Sequence, residues 1–125
     1  MDIKYITTSF GYAIIGIALG IIMAASKDHS HMVTHAHILL IGFVISFIYG
    51  LCHKLWIKNI VSKLSKVQFY IHQVGTFGVV IGLFLYYGNF VSLETIDPVL
   101  AVSSVAVLVG IFLMTVLFIK ASKSV

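Results

Sequence analysis

Six histidines are the residues most able to do chemistry in this chain, and all lie between positions 29 and 72. Four of them form the pattern His29-x-His31-x-x-x-His35-x-His37; the others are His53 and His72. Neutral imidazole is the commonest metal-ligating side chain, so a cluster of this kind points first to a metal or a metal-centred cofactor. Helical spacing limits how the four can cooperate. His35 and His37 are two apart, about 200° around a helix, so they face nearly opposite sides and one ion does not take both. His31 and His35 are four apart and are able to share an ion if the helix begins early enough. His35 shares a stripe with Gly42, whereas His37 faces with Ile41 and Val44.

The surroundings of the histidines set what they can bind. The chain has 125 residues, 60% of them hydrophobic and 10% charged, with a mean hydropathy of +1.10. Eight Lys and four acids do not make the charged surface that a soluble domain of this size needs. Four stretches, Tyr5 to Ala25, Met32 to Cys52, Val67 to Phe90 and Pro98 to Ile119, lack Asp, Glu, Lys and Arg. Each has roughly the 20 residues needed to cross a hydrocarbon core of about 30 Å. Helices are the expected form, because lipid offers backbone groups no partners. The predicted fold is therefore all-α, an integral membrane bundle of four helices in one domain. The first stretch is expected to be a retained helix rather than a signal peptide, since only Lys4 precedes a long apolar run. Ionisable residues inside such spans are functional candidates by default. His35 and His37 enter the second span from one side and His72 enters the third from the other. That separates their levels by on the order of 15 Å, too far for a common ion. His72 is left to pair with His53, to form a second site, or to bond a neighbouring helix.

Lysine placement orients the bundle. Lys4, Lys54, Lys58, Lys63, Lys66, Lys120 and Lys123 fall on one side, and Lys27 with Asp28, Glu94 and Asp97 on the other. The positive-inside rule makes the seven-lysine side cytoplasmic, with both termini there and the histidine cluster on the periplasmic or extracytoplasmic side of a plasma (inner) membrane. A basic loop facing anionic lipid accounts for these lysines without nucleic acid as a partner. Residues 54–66 have apolar positions at helical spacing with Trp56 and four lysines, which predicts a short amphipathic interfacial helix. Pro98 is expected at the start of the fourth helix, where its missing N–H is harmless. Gly16 and Gly20, Gly42, Ser46 and Gly50, and Gly78 and Gly82 are spaced four apart. Such stripes let helix backbones approach closely; alternatively they leave room for a flat macrocycle. Cys52 is alone, so no intrachain disulfide or Cys-based metal motif forms.

The segment Thr34-His35-Ala36-His37-Ile38-Leu39-Leu40-Ile41-Gly42-Phe43 resembles an H-x-H-x4-G-[WF] motif of the catalytic subunit of haem-copper oxidases. The likeness is to the C-family (cbb-type) oxidases and their nitric oxide reductase relatives, where this motif opens a transmembrane helix from the periplasmic side. Gln68-Phe69-Tyr70-Ile71-His72-Gln73-Val74-Gly75 is similar to the start of the next helix in that family, with Gln68 in place of a His. Small four-helix proteins resembling this part of the oxidase also carry the H-x-H and the later His. The resemblance implies that His35 holds one haem iron and His37 another, on opposite faces of one helix. It also has departures: the copper-ligand helix with its cross-linked His–Tyr is absent, as is the helix giving the second low-spin haem ligand. Oxygen reduction in the oxidase manner is therefore not expected of this chain alone.

The expected function is that of a b-type haem protein forming a homo-oligomer and acting in electron transfer, haem handling or diatomic gas binding, with a redox partner protein in the first case. Candidate second axial ligands are His29, His31, Met23 or a His from another copy, since His/Met ligation suits electron-transfer haems. Lys27, His29 and His31 are candidate propionate partners. Two other readings remain open: a copper or zinc site built from His29, His31 and His35, or a membrane accessory subunit with merely interfacial histidines. The sequence offers no nucleophile–base pair and no phosphate loop, so no catalytic residues are assigned.

Overall fold

A computed structural model describes residues 1–123 and is all-helical over them. Helix α1 spans Asp2–Ser26, α2 spans Met32–Leu55, α3 spans Lys63–Tyr87 and α4 spans Leu93–Lys123. All four are long and apolar enough to cross a membrane. At 1.5 Å per residue the first three each run about 36 Å and α4 about 46 Å, beyond a hydrocarbon core of about 30 Å. The apolar side chains on their outer faces have no core to enter: Ile14 is 69% exposed, Val74 69% and Val102 71%. Such surface is costly in water and neutral in lipid, so the burial pattern suits a bundle solvated by acyl chains.

Turn chemistry fixes the ends. Helix α1 stops at Lys27, which takes the left-handed conformation with φ of 59°. Helix α3 starts with a reciprocal box in which the Ser62 and Ser65 side chains each accept the other's backbone N–H. Helix α4 starts at Leu93, with the Ser92 hydroxyl accepting from the Thr95 N–H at 3.4 Å. Pro98 is therefore not at the helix start but inside it. It removes the bond to the Glu94 carbonyl in the first turns, where exposed Glu94 and Asp97 leave the backbone open to water.

The amphipathic helix expected over residues 54–66 does not form. Helix α2 continues to Leu55, Lys58 and Asn59 adopt positive φ of 56° and 57°, and α3 begins at Lys63. Two consecutive left-handed residues interrupt any helix. The connector instead tucks Ile57 into the core at 4% exposure. Its Asn59 side chain accepts from the Asp2 backbone N–H at 3.1 Å, tying the chain's start to this end. One end of the bundle is thus rich in lysine and the other, with residues 27–37, is rich in histidine.

Helices pack as two hairpins, α1 with α2 and α3 with α4, joined mainly through α2 and α3. The small-residue stripes make these contacts. A Cβ on Gly42 would meet the Tyr12 ring at 2.5 Å, one on Gly20 would meet the His35 ring at 2.8 Å, and one on Gly78 would overlap the Ser103 hydroxyl. Neighbouring helices fill these stripes, so within this chain they provide close packing and not a slot for a macrocycle.

Helix α2 is not uniform. Between Met32–His37 and the α-helical Ser46–Leu55, residues Ile38–Ile45 wind as a π-helix. One extra residue in a turn rotates everything downstream by about 100° relative to a straight α-helix. The Ser46 hydroxyl donates to the Ile41 carbonyl at 3.2 Å, five residues back, which fits the widened turn. The rotation aims Ser46, Tyr49, Gly50 and His53 into the bundle, where all four are buried.

Candidate functional site

His35 and His37 flank the first turns of α2 on opposite sides, as their spacing requires. His35 is half-buried against α1, with its Nδ1 2.8 Å from the Gly16 carbonyl. His37 is half-buried on the outward side, with its Nδ1 2.8 Å from the Val33 carbonyl of its own helix. A carbonyl only accepts, so each Nδ1 carries the proton and each Nε2 keeps a lone pair. In both rings Nε2 makes no hydrogen bond among the described residues and is not sealed from the surface. That is the arrangement of metal-ligating histidines, whose second nitrogen is anchored to fix tautomer and ring orientation.

The other residues at this end are arranged differently. His31 stacks on Phe84 of α3 with ring centroids 4.9 Å apart and planes 11° from parallel, and its Nδ1 lies 3.2 Å from the Thr34 hydroxyl. His29 is exposed in the loop. Asp28 in the same loop accepts from the Ser30 N–H at 3.1 Å, and this contact with the Ser30 backbone holds its carboxyl below the usual Asp value, helped by His31 and His29 nearby. Met23 is buried at 5% exposure, on the stripe of α1 that carries Gly16 and Gly20. Gly42 is buried beneath the Tyr12 ring, so its missing side chain serves the α1–α2 contact. His29, His31 and His35 are not gathered into a three-ligand set: among the described residues no three His, Cys, Asp or Glu side chains are placed to hold one ion.

Beside these residues, an apolar groove of 520 Å³ runs between α1, α2 and α3, lined by Ile15, Leu19, Ile22, Thr34, Ile38 and Phe84 among others. Thr34 and Ile38 bracket His35 and His37 in sequence, so the groove lies at their depth. Thr34 and Phe84 are also the partners of His31, which marks the groove's histidine-rich end.

His72 belongs to a separate site. It faces Ser46, eleven residues beyond His35 on α2 and so about 16 Å further along the helix, in line with the separation expected from sequence. His72 and His53 are both fully buried, as are Tyr5, Gln68, Ser46 and Thr76. Nε2 of His72 is 2.9 Å from the Ser46 hydroxyl and 3.4 Å from that of Thr76. The Tyr5 hydroxyl donates to Gln68 Oε1, and Gln68 Nε2 donates to the Gly110 carbonyl of α4 at 3.1 Å. Tyr5 stacks on His53 at 5.5 Å and lies 6.0 Å from the His72 ring; Tyr49 meets His72 edge-on at 4.9 Å. Among the described residues His53 and His72 are connected through the Tyr5 ring and not by a hydrogen bond to each other.

His72, His53 and Gln68 stand out in the sequence, whereas Tyr5, Tyr49, Ser46 and Thr76 do not stand out there as their companions. Gln68, His72 and Thr76 do lie four apart on one face of α3. The matching stripe on α2 is displaced by the π-helical turn, which no residue of that apolar run announces. Comparison of the chain with family models, with curated proteins and with solved structures finds no match in any of the three.

Proposed function

We propose that this chain is a small b-type haem protein of the plasma (inner) membrane, with its lysine-rich end and both termini in the cytoplasm and its histidine-rich end outside. The orientation rests on the positive-inside rule applied to seven lysines gathered at one end. The haem assignment rests on one observation: both imidazoles of the H-x-H pair have Nδ1 tied to a backbone carbonyl and Nε2 left free. The likeness of this pair to the haem-ligating helix of the oxidases points the same way.

The residues fit haem b in donor type and protonation and fit it less well in space, because helices fill the glycine stripes. His37 looks off the bundle, so a haem on that side is best completed by a second copy, which makes the working unit a homo-oligomer. The haem supplies reversible one-electron chemistry or an open iron for a diatomic gas. The protein holds the imidazoles in one tautomer, keeps the surroundings apolar, and offers His29, His31 and Lys27 at the aqueous edge to carboxylates or to a redox partner protein. Met23 and His31 are the residues of this chain that would help to hold the haem beside that pair.

Optical and EPR spectra of the detergent-purified protein, produced with ample haem, test this reading. A Soret band that is lost in the His35→Ala, His37→Ala double variant supports it. Colourless protein sinks it, as does colour unchanged by the double substitution. Stoichiometric copper or zinc by elemental analysis in a colourless sample transfers the assignment to a metal-ion site, and absence of both leaves an accessory subunit.

A further inference from the structure

The cluster in the lysine-rich half has a property that the haem reading does not use. Four polar atoms there are sealed from solvent and lack a partner among the described residues: Tyr49 Oη, both nitrogens of His53, and Nδ1 of His72. They belong to side chains no more than 3% exposed, on two helices, around one tyrosine ring. Native interiors rarely leave such groups unmet, and four in one place point to an occupant that is not protein.

Donor and acceptor counts say what that occupant is. Ser46 has one hydroxyl proton to place between the Ile41 carbonyl at 3.2 Å and His72 Nε2 at 2.9 Å. Nδ1 of His72 is accordingly a lone pair in one tautomer and a donor in the other. Neutral His53 offers one donor and one acceptor, and the Tyr49 hydroxyl offers both. A set with donors and acceptors mixed matches water, which takes two to four such partners and fits a space the size of one molecule. A metal cation would match only the lone pairs.

We infer that this cluster holds internal water and relays protons between the lysine-rich surface and the middle of the bundle. His53, in the last turn of α2, is the entry; the N-terminal amine and Asp2 of α1 are the charges it faces. Lys4 of α1 lies over the Phe69 ring, 5.9 Å from its centroid. From α3 and α4 the cluster meets uncharged groups, namely Gln68, Thr76, the Gly110 carbonyl, Met114 and Leu117. Water carries a proton from His53 past Tyr49 to His72. At His53 a proton bound by one nitrogen is matched by one released from the other, so the ring ends neutral with its tautomer switched; at His72, beyond which Ser46 meets only the Ile41 carbonyl, the proton taken up is balanced by one given back to the same water. The tautomer returns when the ring turns over or the proton runs back. His72, Ser46 and Thr76 form the inner terminus of the relay.

The test is NMR of the full chain with ¹⁵N-labelled histidine in phosphatidylcholine nanodiscs, a readout independent of haem content. Water-proton cross-peaks are expected at the ring nitrogens of His53 and His72, as at exposed His29, which serves as the internal standard. In Tyr49→Phe the His72 cross-peak disappears while the signals of His29, His35 and His37 stay in place. In His53→Phe the ring proton of His72 exchanges with D₂O at least about tenfold more slowly, because its route to the surface is cut. If neither variant folds, the wild-type chain still decides: rapid exchange at His72 sustains the relay. A His72 ring without water contact, or one whose proton survives prolonged D₂O exposure, overturns it. So does a His72 cross-peak unchanged in a folded Tyr49→Phe variant.

Discussion

At the histidine-rich end, His31, His35 and His37 are half-buried, each with Nδ1 at hydrogen-bond distance from an oxygen, that of His35 on α1. In the opposite half, His53 and His72 are fully buried, and three of their four ring nitrogens have no partner. The two groups of imidazoles share α2, with His72 alone on α3, and differ in which nitrogen is committed. At one end the protein anchors one nitrogen and leaves the other without a hydrogen bond among the described residues, which is what the proposed haem ligation requires. In the other half it surrounds the rings with aromatic faces and hydroxyls and leaves nitrogens facing inward. Burial alone therefore does not capture the difference between the two groups in this chain. The orientation of the free lone pair does.

That contrast predicts that the inner cluster carries stability and the outer residues carry little. Gln68→Leu strands the buried Tyr5 hydroxyl and removes a second bond to the Gly110 carbonyl, which keeps its bond within α4. The expected loss is on the order of 3 kcal/mol, from one unmet buried hydroxyl at about 1–3 kcal/mol and one lost hydrogen bond at about 1 kcal/mol. His29→Leu, in the exposed loop, is expected to stay within about 0.5 kcal/mol of the parent. Reversible unfolding in mixed micelles measures both. Equal effects from the two substitutions would remove the distinction drawn between the two ends.

A smaller effect sharpens the role of the glycine stripes. In Gly42→Val the new side chain meets the Tyr12 ring, and overpacking of this kind costs about 1–3 kcal/mol. Tyr12→Ala in the same chain should return part of that loss, because residues in contact are not additive. The same unfolding assay reads the cycle. Strict additivity would mean that Tyr12 does not occupy the space over Gly42.

These contacts also show where sequence suffices. The four spans were legible because lipid demands long apolar helices, and composition reports that directly. The opposed faces of His35 and His37 followed from helical spacing, and the depth of His72 from chain direction. Residues 54–66 misled because apolar periodicity speaks for a helix while Lys58 and Asn59, in left-handed conformations, stop one. Pro98 misleads because proline favours the first position of a helix, whereas the Ser92 cap sets the start five residues earlier. The Tyr49–His53–His72 grouping was hidden by the π-helical turn over Ile38–Ile45, which rotates one half of α2 against the other. An apolar run tolerates either winding without a change in residue type, so the rotation is decided by packing and is invisible in the pattern.

The least effect is expected in the loop that carries His29, and its pH dependence has a definite sign. Asp28 is held below the ordinary Asp value of 3.8, first by the Ser30 backbone N–H and then by the Ser30 side chain. A carboxyl whose folded value is depressed favours the ordered loop above its unfolded value. That contribution fades as pH falls through the lowered value, when the protonated form no longer holds the Ser30 N–H as a charge-assisted partner. The Ser30 amide resonance should therefore shift with a midpoint below 3.8 and lose that shift in Asp28→Asn. The resonances of Thr34 and His35 should not follow, since the helix beyond is held by α1 through the Gly16 carbonyl and not by the loop. Co-titration of His35 with Asp28 would mean that the loop and the anchored imidazole form one unit, and the free Nε2 would then owe its orientation to pH as well as to packing.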